Sequence, residues 1–218
     1  MKNYKIKLPV VFAFIITFVF VNCSKLDEKI EDRLTLKQVE IATSGTTVDV
    51  STLLDGVYNS LLNFNGDGSG NIPEHVSDEL LAPTRGGDWD DNGAWRALSQ
   101  HKWDADHASL RDYFNRLSSG LFSSIDLLQF KPNPQQEAED RFVRAFYVFW
   151  LCDGWGQVPM RDPGAPLADI PSVMTSSEAI EFVISELETI IGNLPTDDVP
   201  WVATKAAAIA LLAKAYLN

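Results

Sequence analysis

The sequence predicts an all-α fold. Apolar residues recur at three- and four-residue spacing over five long segments, which is the pattern of helices that each bury one face. Clusters of glycine, proline and asparagine separate these segments, and the alternation of apolar and polar residues typical of a half-buried strand persists nowhere. Together these observations favour packed helices joined by long irregular loops.

The first predicted helix ends at a flexible loop. Residues 65–70 (NGDGSG) have the composition of a turn and interrupt the apolar periodicity that precedes them. Residues 71–106 then hold few periodic apolar positions and many Trp, Asp and Gly residues, so we predict a long loop there. The apolar positions that define the first helix are Leu53, Leu54, Val57, Tyr58, Leu61 and Leu62.

Two longer helices are predicted on either side of a proline break. The first covers residues 108–130, where apolar residues occupy one face. Residues 131–134 (KPNP) end it, because proline cannot continue a helix and restricts the residue before it. The second covers residues 135–151, and the Gly- and Pro-rich residues 153–174 are predicted to form a loop.

Two further helices follow this loop. Thr175 and Glu178 have the spacing of a capping box, in which the two side chains satisfy free backbone amides at the start of a helix. The helix that begins there keeps its apolar periodicity until residues 192–195 (GNLP) end it. Residues 202–217 form an alanine-rich helix, whose small side chains permit close contacts between helices.

Helix pairs with small-residue contacts favour a tetratricopeptide-like array of repeats, although a strict period of about 34 residues is not visible. The helical pattern reaches Asn218 without a glycine or other stop signal. We therefore expect residues 51–218 to be the N-terminal part of a longer, truncated solenoid. The alternative is a complete small bundle with a frayed last helix.

The first residues have the pattern of an export signal. Three lysines precede an unbroken apolar run at residues 8–21, and Cys23 lies just beyond that run. The run is shorter than the ~20 residues that a spanning helix needs. It is similar to the lipobox of bacterial lipoproteins, whose cysteine is diacylated, so we predict a signal peptide at residues 1–22 and a lipidated tether at residues 23–50. The alternative is an ordinary secretory signal or a signal anchor with an incidental cysteine.

Charge and cysteine content exclude two classes of protein. The sequence has 18 basic and 30 acidic residues, and loss of the three lysines in the predicted signal peptide would leave 15 against 30, a net charge of −15. So acidic a surface repels nucleic acid, and no nucleic-acid partner is predicted. Cys23 and Cys152 are the only cysteines, so lipidation of Cys23 excludes a disulfide scaffold. Cys152 lies in an apolar stretch and is predicted to be a buried, inert thiol.

Three tryptophans in residues 88–103 lie among Asp, Asn and Arg residues. Sugars present apolar C–H faces and rims of hydroxyl groups, so exposed aromatic rings beside polar side chains suit a glycan site. The alternative is that these rings pack the loop onto the helices, because large aromatic residues are usually mostly buried. The candidate ligand-binding residues are Asp88, Trp89, Asp90, Asn92, Trp95 and Arg96.

Metal binding has weaker support in the sequence. Residues 88–93 match the first half of a calcium loop, but Ser99 stands where the pattern requires a glutamate. His101 and His107, with the aspartates between them, lack the spacing of a zinc site. We predict that His107 and Asp106 cap the next helix instead. No metal and no cofactor is predicted.

The sequence also contains no recognisable motif for catalysis. It has no G-x-S-x-G elbow, no His-Glu-x-x-His and no Gly-rich phosphate loop. Asp78 and Glu79 are adjacent acids, but neighbouring residues usually point in different directions and so make a poor carboxylate pair for glycoside hydrolysis. We predict no catalytic residue and no enzymatic activity, with a surface glycosidase kept as an alternative.

Several blocks of the sequence occur in an order that is typical of one family. These blocks are residues 77–80 (SDEL), 83–96 (PTRGGDWDDNGAWR), 101–107 (HKWDADH), 141–151 (RFVRAFYVFWL), 155–160 (WGQVPM) and 203–208 (ATKAAA). In this order, and with the lipoprotein signal, they resemble the SusD/RagB family of outer-membrane nutrient-binding lipoproteins. The resemblance covers nearly the whole mature chain.

The resemblance implies a helical protein held by its lipid at the outer surface of a Gram-negative bacterium. There it would act as the lid of a SusC-type TonB-dependent transporter and capture oligosaccharides or, in some members, peptides. Asp27 and Glu28 after Cys23 are similar to the acidic surface-export signals of such lipoproteins, although a solvated tether explains them equally well. The remaining alternative is a structural or assembly lipoprotein that holds partner proteins and binds no small ligand.

Overall fold

The computed structural model describes residues 48–65, 72–83, 91–196 and 200–218. The predicted signal peptide, Cys23 and nearly all of the predicted tether lie outside these residues, as does most of the loop predicted at residues 65–70. Within the described residues, no helix combines the length and the apolar character that a membrane crossing requires.

The described residues are mostly helical, as predicted. Besides seven α-helices they contain a 3₁₀ turn at Asp91–Gly93 and two short strands. The elements are α1 (Val50–Asn65), α2 (Ile72–Val76), α3 (Ala94–Ser99), α4 (Ala108–Leu128), α5 (Pro134–Trp155), β1 (Gln157–Met160), β2 (Ser172–Thr175), α6 (Ser176–Ile190) and α7 (Lys205–Leu217).

The five long helices predicted from apolar spacing are confirmed, and their ends follow local chemistry. Asn133 caps α5 and forms a capping box with Gln136, so the proline break predicted between two helices is also the start of the second one. Thr175 and Glu178 form the capping box predicted for α6. Helix α5 continues four residues beyond its predicted end and stops at Gly156, whose φ of 66° is left-handed.

Two predicted loops contain regular structure, so those predictions are wrong in part. Residues 71–106 include α2, the 3₁₀ turn and α3, and residues 153–174 include the end of α5, β1 and most of β2. The strands pair antiparallel, with Val158 opposite Met174. Four-residue strands and helices of five or six residues are too short to establish a hydrophobic period. Their sequences therefore cannot be distinguished from those of loops by periodicity.

Helices α4 and α5 form an antiparallel pair. The Ser124 hydroxyl donates to the Asp140 carbonyl, and earlier in α4 the ring of Tyr113 lies beside that of Trp155 at the far end of α5. Contacts therefore run in opposite directions along the two helices. The side chains with almost no exposed surface at the centre of this core include Leu117, Leu127, Val143, Tyr147, Val148 and Leu151.

Helix α6 packs antiparallel on α5 through one buried ionic cluster. Glu186 of α6 accepts hydrogen bonds from Arg141 and from Arg144 of α5, and the Glu186 side chain is only 9% exposed. At the other end of the pair, Cys152 of α5 lies against Ser176 of α6. The burial predicted for Cys152 is confirmed.

Tyr58 ties α1 to the beginning of the last helix. Its hydroxyl donates to Glu139 Oε2 of α5 at 2.8 Å and accepts from the backbone amide of Ala203 at 2.9 Å. Burial raises the pKa of Tyr58 far above its ordinary value, so the hydroxyl keeps its proton. One side chain thus joins three segments that are distant in sequence.

Candidate ligand-binding groove

A groove of about 970 Å³ opens where α2, the segment before α4, the start of α4 and the end of α5 meet. Its volume lies within the range that small-molecule sites usually have. The residues that line it are Ile72, Pro73, Glu74, Val76, Ser77, Glu79, Trp103, Asp104, Ala105, Leu110, Arg111, Tyr113, Phe114, Asp153, Gly154 and Trp155.

Aromatic side chains form much of the groove wall. The ring of Trp155 packs edge-to-face on Phe114, with centroids 5.1 Å apart, and tilts against Tyr113 at 5.7 Å. Trp103 is 38% exposed, and the ring of His101 supports it from one side at 5.2 Å. Rings held by other rings keep their positions, so the groove presents a largely preformed apolar surface.

The hydroxyl of Tyr113 is an unusual polar group in this wall. Tyr113 is only 2% exposed, and within the described residues its hydroxyl has no hydrogen-bond partner. Burial raises the pKa of Tyr113, and the negative charge of Asp153 raises it further. A buried hydroxyl without a partner costs stability.

Carboxylates surround the aromatic wall. Glu74 of α2 and Glu79, just beyond α2, lie within hydrogen-bonding reach of each other, and this hydrogen bond raises the pKa of Glu74. Asp104 and Asp153 also line the groove. Carboxylate oxygens accept hydrogen bonds only, so the rim suits a ligand that carries many donors.

The candidate residues from the sequence occupy a neighbouring turn. Asn92, Trp95 and Arg96 lie together at the start of α3, while Asp88, Trp89 and Asp90 lie outside the described residues. None of the described three lines the groove. Asn92 is exposed and has a left-handed backbone with φ of 55°. A glycan site at these residues therefore remains a prediction.

Trp95 is half-buried and packs against the core. Its indole N–H donates to Asp91 Oδ2 at 2.6 Å, and its ring lies over that of His75 with centroids 5.0 Å apart. Burial lowers the pKa of His75, so this contact is made to a neutral imidazole. The contacts of Trp95 correspond to the packing alternative.

The histidines near the groove have structural partners. His107 caps α4, since its Nδ1 accepts from the amide of Leu110 at 3.4 Å, as predicted. The prediction that Asp106 shares this role is wrong, because His107 occupies the N-cap position and its side chain forms the cap. The described residues contain no group of three or more His, Cys, Asp or Glu side chains arranged to hold a metal.

Sequence reasoning misses most of the groove. Trp155, Tyr113 and Phe114 come from helices whose apolar residues are equally consistent with the core. Glu79 stands next to Asp78 in the sequence, whereas its partner in space is Glu74. The signal that points closest to the groove is the tryptophan-rich segment that ends at Trp103.

Comparison with solved structures shows the class of this fold. A SusD superfamily protein from Bacteroides vulgatus matches with a TM-score of 0.64 and 17% identity, over 79% of this chain and 40% of that one. A SusD-like protein from Bacteroides fragilis matches equally well, with a TM-score of 0.64 and 17% identity over 82% of this chain and 36% of that one. A third match is the surface glycan-binding protein A from Bacteroides thetaiotaomicron, solved in complex with laminarihexaose. Its TM-score is 0.60 and its identity 20%, over 77% of this chain and 38% of that one.

The described chain is thus a helical protein of the repeat-containing type, and its fold is SusD-like. This chain spans about two fifths or less of the length of the solved structures it matches. No protein-family model matches the sequence, and no curated protein matches it. The predictions of an all-α fold and of a SusD-like structure are confirmed.

Proposed function

We propose that this protein binds an oligosaccharide without covalent chemistry, in the groove formed by α2, residues 103–105, the start of α4 and the end of α5. The observation that carries this proposal is the combination of stacked aromatic rings with a rim of hydrogen-bond acceptors. Aromatic faces match the C–H faces of sugars, and carboxylates accept from sugar hydroxyls. The SusD-like fold and the laminarihexaose complex of one structural neighbour support the same ligand class.

We also propose that the protein binds its glycan without cleaving it. Glycosidases place two carboxyl groups on opposite sides of the scissile bond, about 5 Å apart or more. Glu74 and Glu79 instead lie within hydrogen-bonding reach of each other, so no sugar ring fits between them. This argues against the glycosidase alternative at Glu74 and Glu79.

The proposed setting is the outer membrane. In this proposal Cys23 carries the lipid anchor, the groove faces the cell exterior, and the captured glycan passes to a SusC-type TonB-dependent transporter. Gentle solubilisation of membranes that contain the tagged native protein should recover a large β-barrel partner. Recovery with other lipoproteins only would instead favour the assembly alternative. Replacement of Cys23 by serine should move the protein from the membrane fraction to the soluble fraction.

Glycan binding is tested by calorimetric titration with a panel of neutral hexasaccharides that includes laminarihexaose and cellohexaose. Trp103→Ala should weaken the tightest interaction by about five- to tenfold, because a partly exposed stacking ring contributes about 1 kcal/mol. Trp201→Ala is the matched control, since Trp201 is 75% exposed and does not line the groove. No binding to any member of the panel, or equal effects of the two substitutions, would contradict the proposal.

A further inference from the structure

The groove has an unbalanced charge. Its described lining contains four carboxylates, Glu74, Glu79, Asp104 and Asp153, and a single cation, Arg111. The guanidinium of Arg111 lies 3.7 Å from the carboxylate of Asp112, which adds a further negative charge beside it. A ligand in the groove therefore meets a negative potential, and the excess of acidic residues in the whole sequence strengthens it.

A cation of another helix also acts on this rim. Lys214 of α7 lowers the pKa of Glu74 from a distance, but its ammonium group lies over the ring of Trp150, 5.3 Å from the centroid, outside the groove lining. The hydrogen bond between Glu74 and Glu79 outweighs it, so the pKa of Glu74 is raised overall. A cationic donor beside these two neighbouring carboxylates would relieve their mutual repulsion.

The carboxylates surround a built binding surface and are not an isolated acidic cluster. The Tyr113 hydroxyl is buried in the groove wall without a hydrogen-bond partner among the described residues. Trp155, Phe114 and Tyr113 brace one another, so the wall does not need to rearrange on binding. A ligand that stacks on the exposed parts of Trp103 and Trp155 would bring its substituents to the carboxylate rim.

We infer that the groove selects glycans by charge: it binds chains with protonated amino groups more tightly than neutral chains, and neutral chains more tightly than chains with carboxylate or sulfate groups. This inference rests on the proposed glycan-binding function and adds the ligand class. A protonated amino group can donate three hydrogen bonds, and carboxylates only accept them. An anionic substituent has no proton to donate and is repelled by the negative charge of the carboxylates. Partly exposed ion pairs change affinity by up to about fivefold each.

The test uses one backbone with three substituents. Laminarihexaose and cellohexaose are each prepared with the C6 hydroxyl unmodified, replaced by an amine, or oxidised to a carboxylate, and all are titrated into the full protein at neutral pH. The amine form should bind about fivefold more tightly than the unmodified form for each amine that reaches the rim. The carboxylate form should bind more weakly, by up to about fivefold for each carboxylate that reaches the rim, and added salt should reduce both differences.

The charge effect is assigned to the groove by substitution. The double variant Glu74→Gln, Glu79→Gln should lose most of the preference for the amine form, measured as the ratio of the affinities for the amine and unmodified forms. Glu181→Gln, an exposed acid of α6 outside the groove, should retain the full preference. Equal affinities for the three forms, or a preference unchanged by the double variant, would overturn the inference. Failure of every unmodified glycan to bind would instead reject the proposed function on which it rests.

Discussion

Gly120 of α4 lies so close to Tyr147 of α5 that a β-carbon at position 120 would be 2.2 Å from Cζ of the tyrosine ring. Both residues are buried. The Tyr147 hydroxyl also reaches the Ser60 hydroxyl of α1, at 2.7 Å. Three helices therefore meet at one tyrosine, and the absence of a side chain at position 120 makes room for its ring.

Gly120→Ala should destabilise the protein by about 2 kcal/mol or more, because the new methyl group must displace a ring that is fixed at both ends. Chemical denaturation monitored by circular dichroism measures this change. Gly56→Ala on the exposed side of α1 is the matched control, since a β-carbon at position 56 would have nothing within 4 Å. Alanine is a better helix former than glycine, so that control should be neutral or slightly stabilising. Equal stability of the two variants would contradict the role of Gly120.

Asp140 makes stability depend on pH. It has no exposed surface, neither carboxylate oxygen has a hydrogen-bond partner among the described residues, and burial raises the pKa of Asp140 to about 7. Below its ordinary pKa of 3.8 the carboxyl is protonated in both the folded and the unfolded chain. Between 3.8 and about 7 only the folded chain keeps the proton, so the free energy of unfolding contributed by this group falls as pH rises through that window.

Asp140→Asn should therefore stabilise the protein at pH 8 and leave it nearly unchanged at pH 4. The difference between the two pKa values corresponds to about 4 kcal/mol, which is an upper limit because Asn also needs hydrogen-bond partners. Urea denaturation of both proteins across this pH range measures the effect. A variant that is equally destabilised at every pH would show that the carboxylate is satisfied in the folded state.

Glu186 holds two guanidinium groups between α5 and α6. Burial alone would raise the pKa of Glu186, but Arg141 and Arg144 together outweigh burial and lower it. Glu186→Ala would leave both cations without this partner in a largely buried position, so we expect a loss of about 3 kcal/mol. The Glu181→Gln substitution on the exposed face of the same helix should change the free energy of unfolding by less than about 0.5 kcal/mol. A small effect of Glu186→Ala would mean that water reaches the arginines.

The long helices can be predicted from sequence because local chemistry determines them. The Thr175–Glu178 box and the Asn133 cap act within one turn, and apolar spacing over about fifteen or more residues identifies a buried face. The hairpin of β1 and β2 depends on pairing between strands that are separated by eleven residues. Proline in a sequence usually argues against a strand, although an edge strand tolerates Pro159 in β1. The groove cannot be predicted in this way, because its wall joins three segments that are distant in sequence and whose aromatic residues are equally consistent with a core.

Trp95 is the residue for which the sequence and the structure suggest different roles. Its spacing among polar residues predicts a ligand contact, whereas its indole N–H bonds to Asp91 and its ring stacks on His75. We expect Trp95→Ala to destabilise the protein by about 2 kcal/mol, less than a fully buried tryptophan would lose, because part of the ring is exposed. Trp95→Phe should recover part of this loss, since it keeps the ring contact and removes the hydrogen bond.

Thermal unfolding and glycan titration of the same variants distinguish the two roles. If Trp95 packs the turn before α3, Trp95→Ala lowers the unfolding temperature, whereas Trp201→Ala at an exposed position does not. In that case the Trp95→Ala variant keeps its affinity for the hexasaccharide at temperatures well below its unfolding temperature. If the prediction from sequence is right instead, Trp95→Ala keeps its unfolding temperature and loses binding, and a similar loss in Trp89→Ala would extend the site to residues 88–96. The first result would favour recognition at Trp103 and the groove.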